Sequence, residues 1–371
     1  MKYRLVELLQ CVSCGGDLEI SKAETRQALG DSQETFSCRR YCALHGTSNL
    51  PSVEDCHGCG RLEITTGSLQ CRQCRKDFPI VNTVPWMIEA ANSDEAITNT
   101  ARLYSHLWGT RASSALTDAD TLCHVDLLEE ALGEPVVQGK IGLDAGSGCG
   151  TDSAAMARRY PSVEIISVDI SEGVYATLGR TQHLSNVHVV RGSVLSMPVR
   201  SGVSDFGYSF GVLHHTTDPA QGLKEIVRVL KPSGRVALYL YEDHAGNPWK
   251  AIPLRAVALL RRFTLRLNAP VLSVLCYILS PFIVLAFAIP ARLMRRFGKT
   301  QNIAQKMPFN FGTSLFSVHG DLLDRFGAPI ERRYSRQQVH ALLSACRLEK
   351  IRTTKLRATA GWVAVAVKSH V

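Results

Sequence analysis

The sequence predicts an α/β protein in which helices cover both faces of a mostly parallel sheet. A glycine-rich run, residues 144–152, follows a short apolar segment and precedes a helix-like segment, 153–159. Strand, glycine-rich turn and helix in this order are typical of a ligand-binding unit. Further strand-like segments follow at 163–168, 187–191, 205–210 and 235–241. A helix-like segment with its apolar residues on one face separates the last two strands.

The spacing of the glycines distinguishes two classes of ligand. Gly146, Gly148 and Gly150 allow positive φ angles and a close approach of the backbone to a ligand. A dinucleotide-binding turn would have its third glycine at position 151, which is Thr151. Asp144 fits poorly beside a pyrophosphate and well beside the ammonium of a methionine moiety. The run therefore favours a ligand with an amino acid portion.

This run resembles motif I of the class I S-adenosylmethionine-dependent methyltransferases, closest to the group that includes quinone and sterol methyltransferases. The resemblance covers roughly residues 100–243 and resumes near 320. It implies a Rossmann-like seven-stranded methyltransferase sheet with one antiparallel strand, and S-adenosylmethionine as cofactor. It also implies that Asp169 holds the ribose hydroxyls. Ser193 stands where the family usually has an aspartate that contacts the adenine amine. A different nucleotide-binding Rossmann domain is the alternative, but several motifs agree here in order and spacing.

The cysteines predict structural zinc near the start of the chain. Eight of the twelve cysteines precede residue 75, in four close pairs: Cys11 and Cys14, Cys38 and Cys42, Cys56 and Cys59, Cys71 and Cys74. Two CxxC turns complete a tetrahedral site. We expect the last two pairs to share one zinc and the first two pairs a second, with His45 able to replace Cys42. The segment also resembles the Trm112-like zinc ribbon. The alternative is a ribbon that has lost its metal and keeps reduced cysteines.

A long interval without acids predicts an apolar, basic insert. No Asp or Glu lies between Asp243 and Asp321, and ten Lys or Arg in this interval exceed the chain's net charge of +9. Residues 269–291 carry no charge and are long enough to cross a membrane. Both flanks are basic, and Pro270, Pro281 and Pro290 should break a straight helix. We therefore expect a re-entrant or interfacial helical hairpin at an anionic membrane surface. A hydrophobic lid over the active site, a protein–protein face and a nucleic-acid surface are the alternatives.

The chemistry predicted is methyl transfer by in-line displacement. His214 and His215 follow the fourth strand at the usual ligand crevice of an open α/β sheet, where either can act as a base. A purely structural role in ordering this turn is the alternative. The segment here is Gly-Val-Leu, without the Pro-Pro-aromatic motif of enzymes that methylate the amines of bases. The expected acceptor is a small, lipophilic or lipid-linked molecule.

The predicted organisation has five parts: a zinc-ribbon region at 1–90, a helical connector at 91–140, a methyltransferase core at 141–243, the insert at 244–320 and a closing segment at 321–371. The first residues do not resemble a secretory signal, so we expect a cytoplasmic protein associated with the membrane from that side. A zinc-ribbon RNA methyltransferase is a second hypothesis, although the acids of the ribbon region oppose a basic stripe. A non-catalytic, cofactor-binding partner protein is the third.

Overall fold

The computed structural model describes residues 1–29, 38–48, 60–89, 94–109, 124–246, 248–296, 303–304, 307, 315–356 and 361–370. The strands are β1 (Leu18–Gln27), β2 (Leu62–Cys71), β3 (Asp77–Val81), β4 (Val84–Met87), β5 (Ile141–Ala145), β6 (Glu164–Asp169), β7 (Val187–Gly192), β8 (Ser204–Phe210), β9 (Leu230–Tyr241), β10 (Leu348–Lys355) and β11 (Gly361–Lys368). The helices are α1 (Glu95–Gly109), α2 (His124–Leu132), α3 (Thr151–Arg159), α4 (Gly173–Thr181), α5 (Pro219–Val229), α6 (Pro248–Thr264), α7 (Ala269–Ile283), α8 (Ile289–Arg295), α9 (Leu315–Gly327) and α10 (Arg336–Ser344).

The predicted seven-stranded sheet is confirmed. Its strand order is β7-β6-β5-β8-β9-β11-β10. Neighbouring strands are parallel from β7 to β9, and β11 pairs antiparallel with both β9 and β10. The strand order reverses direction at β5, which has β6 on one side and β8 on the other. The loops that follow these strands therefore meet at the crevice where ligands of open α/β sheets bind.

Buried side chains cover both faces of this sheet. Consecutive residues of a strand point to opposite faces, and Ile165 and Ile166 of β6 accordingly belong to two different apolar clusters. One cluster includes Leu223 and Ile226 of α5. The other includes Leu128 of α2 and Met156 of α3. Helices thus pack on both faces, as the sequence predicts.

The N-terminal region extends the same sheet. Strand β4 pairs parallel with β7, and β3, β2 and β1 follow outward to give eleven strands in all. The Lys2 ammonium donates to the carbonyls of Leu184, Ser185 and Val187 at 2.7–2.9 Å. Buried Arg4 binds the carboxylate of Glu164 on β6 through two hydrogen bonds of 3.0 Å. The ribbon therefore covers the β7 edge, which would otherwise present unpaired backbone groups.

The apolar segment of the insert is one continuous helix, so the predicted break at its prolines is wrong; a second helix of the insert, α6, precedes it. Residues Ala269–Arg295 form a continuous helix of 27 residues, made of α7, a π-helical turn at Val284–Ala288 and α8; we call it the insert helix. Pro270 lies in the first helical turn, where a proline removes no required donor. Pro281 lies inside the helix, one turn before the π-helical turn. Such a turn is one of the recognised ways in which a helix absorbs a local irregularity.

Candidate active site

The glycine-rich loop has the backbone shape that its sequence predicts. The N–H groups of Gly146 and Ser147 donate to the Val168 carbonyl at 2.8 and 3.1 Å, which fixes the loop to β6. Gly146 has φ +103°, and a Cβ atom there would lie 2.2 Å from Val212. Gly148 has φ +53°, and its Cβ would lie 3.0 Å from the Trp108 ring. Both positions therefore require glycine, for conformation and for space.

A cleft opens beside this loop at the carboxyl ends of the central strands. The space between its walls is about 770 Å³, including the open solvent at its mouth. Helix α1 forms one wall through Ile97, Thr100, Tyr104 and Trp108. The other lining residues are Gly146, Gly148, Asp169, Ile170, Ser193, Val194, Leu195, Phe210, Gly211, Val212, His215, Thr216, Thr217 and Ile330. Four of the six predicted cofactor residues thus line one cleft.

The remaining two predicted cofactor residues occupy structural positions. Gly150 precedes the first residue of α3 and packs against Thr177. Asp144 is buried and accepts a 2.6 Å hydrogen bond from Ser153 in the first turn of α3. Burial, with the nearby Asp152 charge, raises the pKa of Asp144 to about 7. This hydrogen bond joins β5 to α3, and the contact of Asp144 with a methionine ammonium stays a prediction.

Asp169 lies where a carboxylate can hold ribose hydroxyls. It ends β6 and accepts hydrogen bonds from the Gly148 N–H at 2.8 Å and from the Ser171 N–H and hydroxyl at 2.8 and 2.6 Å. Burial raises its pKa. A carboxylate has about four acceptor positions, so one position remains for a ribose hydroxyl. Ser193 accepts from the Leu195 N–H at 3.1 Å, and the second lone pair of its oxygen remains to accept from an amine of a ligand.

The two candidate catalytic histidines have different surroundings. His214 is fully buried, and neither of its ring nitrogens has a hydrogen-bond partner in the part of the chain that the structure describes. Burial holds its pKa well below the usual value, so the ring is neutral. His215 lines the cleft, and its Nδ1 lies 2.8 Å from the Ile330 carbonyl. Because a carbonyl only accepts, Nδ1 carries the proton and Nε2 is the basic nitrogen. The structure places His215, and not His214, at the cleft.

Asp324 is the main residue of this region that sequence reasoning missed. It lies on α9 with Oδ1 3.5 Å from Nε2 of His215. Its carboxylate accepts hydrogen bonds from Tyr104 and Tyr241. No motif surrounds it; the only sequence signal is that acids resume at Asp321 after the acid-free interval.

Four cysteines meet at a candidate metal site, but not in the predicted pairs. The sulfur atoms of Cys11, Cys14, Cys71 and Cys74 lie within 4.8 Å of one another. The Cys11–Cys74 and Cys14–Cys71 distances are 3.6 and 3.5 Å, close to the separation of about 3.8 Å expected for four thiolates at 2.3 Å from zinc. Antiparallel pairing of β1 with β2 sets Leu18 opposite Cys71, which brings the two knuckles together. The donor set and spacing fit a structural zinc.

The expected sharing of one zinc by Cys71 and Cys74 with Cys56 and Cys59 is therefore wrong, since Cys71 and Cys74 complete a site with the first knuckle. Cys56 and Cys59 themselves lie outside the described residues. Cys38 and Cys42 are both buried in a small cluster with Leu44. Nδ1 of His45 lies 3.2 Å from the Cys42 sulfur. Cys42 and His45, the two alternative ligands predicted for a second zinc, are therefore neighbours.

Family comparisons agree with this architecture. Residues 143–238 match the family model described as "Methyltransferase domain", and residues 2–82 match the model described as "Trm112p-like protein". The chain thus carries an S-adenosylmethionine-dependent methyltransferase domain joined to a Trm112p-like region.

Individual relatives match the methyltransferase part. A ubiquinone/menaquinone biosynthesis C-methyltransferase of Geobacter sulfurreducens is 32% identical over 117 residues, which are 30% of this chain and 45% of the relative. A malonyl-[acyl-carrier protein] O-methyltransferase of Methylovorus is 34% identical over 99 residues, 25% of this chain and 33% of the relative. The chain thus spans less than half the length of these relatives. The structure of human N-acetylserotonin methyltransferase has a TM-score of 0.39 at 15% identity, over 76% of this chain and 60% of that one.

Proposed function

We propose that the protein transfers a methyl group from S-adenosylmethionine to a small lipophilic or lipid-linked acceptor at an anionic membrane surface. The observation that carries the proposal is the insert helix, which packs against the same helix that walls the cofactor cleft. One side of α1 faces the cleft through Tyr104 and Trp108. Leu103 and Leu107 of α1 are buried in one cluster with Leu272 of the insert helix.

The cleft supports the cofactor assignment. The glycine loop, Asp169 and Ser193 would hold the amino acid, ribose and adenine portions in the order that the family resemblance implies. When bound, S-adenosylmethionine supplies an electrophilic methyl group on a sulfonium. The protein's contribution is then to hold the acceptor in line, which is worth several kcal/mol. Nε2 of His215 would take the proton from an acceptor that carries one.

The insert helix supports the membrane location by its composition and exposure. Its most apolar window has a mean hydropathy of 2.5, and only 22% of that window is buried in the protein. A narrow stripe, including Cys276, Ala288 and Ala291, is buried. The large exposed apolar side chains of the helix are Val271, Val274, Leu275, Tyr277, Ile278, Leu279, Phe282, Leu285, Ile289 and Leu293. An uncovered apolar surface on this scale marks an interaction site.

Charge favours an anionic bilayer as the partner of this surface. Exposed arginines flank the apolar face on both sides, at Arg255, Arg262, Arg266, Arg292 and Arg296. Each basic residue near an anionic membrane contributes about 1 kcal/mol. A protein partner would not require an acid-free interval of this length, whereas an anionic lipid surface repels acids and attracts arginine.

Vesicle sedimentation tests the membrane part. Wild-type protein is expected to sediment with phosphatidylcholine vesicles that contain phosphatidylglycerol at low salt, and less with phosphatidylcholine alone. Phe282→Asp and Leu285→Asp, at positions 65% and 64% exposed, should weaken this binding at least about ten-fold, because an acid on the lipid-facing side costs up to about 3 kcal/mol. Leu29→Asp, at an exposed leucine of 57% outside the insert, is the matched control and should sediment like the wild type. Equal sedimentation of all variants would contradict the proposal.

Transfer of label tests the chemical part. Purified protein is incubated with methyl-labelled S-adenosylmethionine and a cell extract that is then separated into lipid, RNA, protein and small-molecule fractions. Label in the lipid fraction, lost in Asp169→Ala, is the expected result. Label confined to RNA would replace this proposal with a ribbon-dependent RNA methyltransferase. Absence of label in every fraction would favour a non-catalytic cofactor-binding protein.

A further inference from the structure

A buried polar cluster joins the cleft to the helix that follows the insert. Asp324 of α9 is its centre and is 8% exposed. Oδ1 accepts a 2.5 Å hydrogen bond from the Tyr104 hydroxyl, and Oδ2 accepts a 3.0 Å hydrogen bond from the Tyr241 hydroxyl. Nε2 of His215 lies 3.5 Å from Oδ1. Three separate elements, α1, β9 and the turn after β8, therefore converge on one carboxylate.

The hydroxyls of Tyr104 and Tyr241 bind this carboxylate, one on each oxygen. Burial, followed by the charge of Asp324, raises the pKa of Tyr104 well above its usual value. The same two causes raise the pKa of Tyr241. Both hydroxyls are therefore permanent donors, one to each carboxylate oxygen. A carboxylate that accepts on both oxygens is fixed in position and orientation.

The ring of His215 is held from its opposite side. Its Nδ1–H donates to the Ile330 carbonyl, so Nε2 is directed away from that carbonyl. The Nε2–Oδ1 separation of 3.5 Å exceeds the usual hydrogen-bond range of about 2.7–3.2 Å, so the carboxylate lies close to Nε2 without a direct hydrogen bond to it. Once Nε2 is protonated, the neighbouring carboxylate becomes an opposite charge at close range.

We propose that Asp324 is a positioning residue that prepares His215 to accept the proton of the methyl acceptor, with Tyr104 and Tyr241 holding the carboxylate in place. This inference rests on the proposed methyl transfer. The bond between the acceptor atom and its hydrogen breaks, and the proton goes to Nε2. The electron pair left on the acceptor forms the new bond to the methyl carbon. The carbon–sulfur bond breaks with its pair retained on sulfur, which becomes a neutral thioether.

Other charged and titratable groups surround the pair and enter any pH dependence. The ring of His214 lies 4.3 Å from that of His215, centroid to centroid. Arg333 lies over the Tyr241 ring at 5.1 Å. The groups to be considered with His215 are Tyr104, His214, Tyr239, Tyr241, Asp321, Asp324, Arg325, Glu331 and Arg333. Asp324 is distinguished among them by its direct approach to Nε2.

Histidine titration by NMR tests the inference without any methyl acceptor. The ring signals of His215 are assigned in the full-length protein by their loss in His215→Gln. In Asp324→Asn the titration midpoint of these signals should fall, because the negative charge beside Nε2 is removed. In Tyr104→Phe and Tyr241→Phe the Asp324 carboxylate remains but loses one hydroxyl donor. Its charge is then less neutralised by hydrogen bonds, so the titration midpoint of the His215 signals should rise. An unchanged midpoint in Asp324→Asn, or a downward shift in both phenylalanine variants, overturns the inference. The phenylalanine variants decide the question alone if Asp324→Asn does not fold.

Kinetics of methyl transfer from labelled S-adenosylmethionine to the fraction that receives label separate this inference from the proposed function. Asp324→Asn should lower kcat at least ten-fold, leave KM for S-adenosylmethionine within two-fold and move the acidic limb of kcat/KM to lower pH. Asp324→Glu, which keeps the charge, should recover part of kcat. Wild-type turnover that persists in Asp324→Asn overturns the role of Asp324 and leaves methyl transfer standing. Absence of transfer by the wild type overturns both.

Discussion

Replacing Gly146 by alanine tests how the glycine loop forms the cofactor site. Gly146 has φ +103°, and the added Cβ would lie 2.2 Å from Cγ2 and 2.8 Å from Cγ1 of Val212. A residue other than glycine in such a conformation costs about 1–3 kcal/mol, and the overlap with Val212 adds to this. A loop that relaxes to relieve the strain must be returned to its shape on binding. The cost therefore appears in stability, in affinity, or divided between them.

The measurement combines denaturant unfolding with calorimetric titration of S-adenosylmethionine. The loss of unfolding free energy and the loss of binding free energy should together reach at least about 1 kcal/mol, and up to about 3 kcal/mol. If all of it appears in binding, affinity falls roughly five- to 150-fold. Gly179→Ala is the matched control: Gly179 lies in helix α4 with open space around its Cβ position, and alanine should stabilise it by about 0.5–1 kcal/mol.

Adding Val212→Ala removes both Cγ atoms and should recover part of the loss, while the cost of the positive φ remains. A summed loss in Gly146→Ala of less than about 1 kcal/mol would refute the reasoning, because the loop would then tolerate a side chain that its geometry excludes.

Three further predictions concern the cysteine site, the carboxyl group of Asp144 and the ion pair between Arg4 and Glu164. Cys71→Ser, or treatment with a chelator, should lower the unfolding temperature measured by calorimetry, because structural zinc contributes of order 10 kcal/mol in small modules. Cys346 lies outside the four-cysteine group, so the control variant Cys346→Ser should keep the metal content of the wild type. Asp144 has a folded-state pKa of about 7, above the unfolded value of about 3.9, so its contribution to stability is complete below pH 4 and is lost as the pH rises to 7. Asp144→Asn should therefore gain about 4 kcal/mol of unfolding free energy relative to the wild type between pH 4 and pH 8. Arg4→Met should cost about 3–5 kcal/mol in urea unfolding, because Glu164 then stays buried without its arginine.

Each of these predictions has an outcome that contradicts it. An unchanged unfolding temperature after verified loss of metal would show that the cysteine site does not stabilise the fold. Parallel stability curves against pH for wild type and Asp144→Asn would show that Asp144 is ionised without penalty. The double variant Arg4→Met with Glu164→Gln should be more stable than Arg4→Met alone, and the opposite order would exclude the buried ion pair as the cause.

Local patterns in the sequence were sufficient for the core of the site. The glycine run predicted the loop after β5, and the acid that ends β6 predicted Asp169 at the cleft, because strand, turn and helix are encoded by residues close together in the chain. The acid-free interval likewise predicted an exposed apolar element, because a long uncharged, apolar stretch is recognised from its composition alone.

Only the tertiary structure decided which distant residues meet. The pairing of β1 with β2 placed Cys71 and Cys74 beside Cys11 and Cys14, although spacing favoured a nearer partner. The fold buried His214 and left His215 at the cleft, two neighbours that no local pattern separates. It also brought Asp324 to His215 from more than a hundred residues further along the chain. Such contacts depend on strand register and helix packing, which arise from the sum of many weak interactions across the whole domain, and no short segment encodes them.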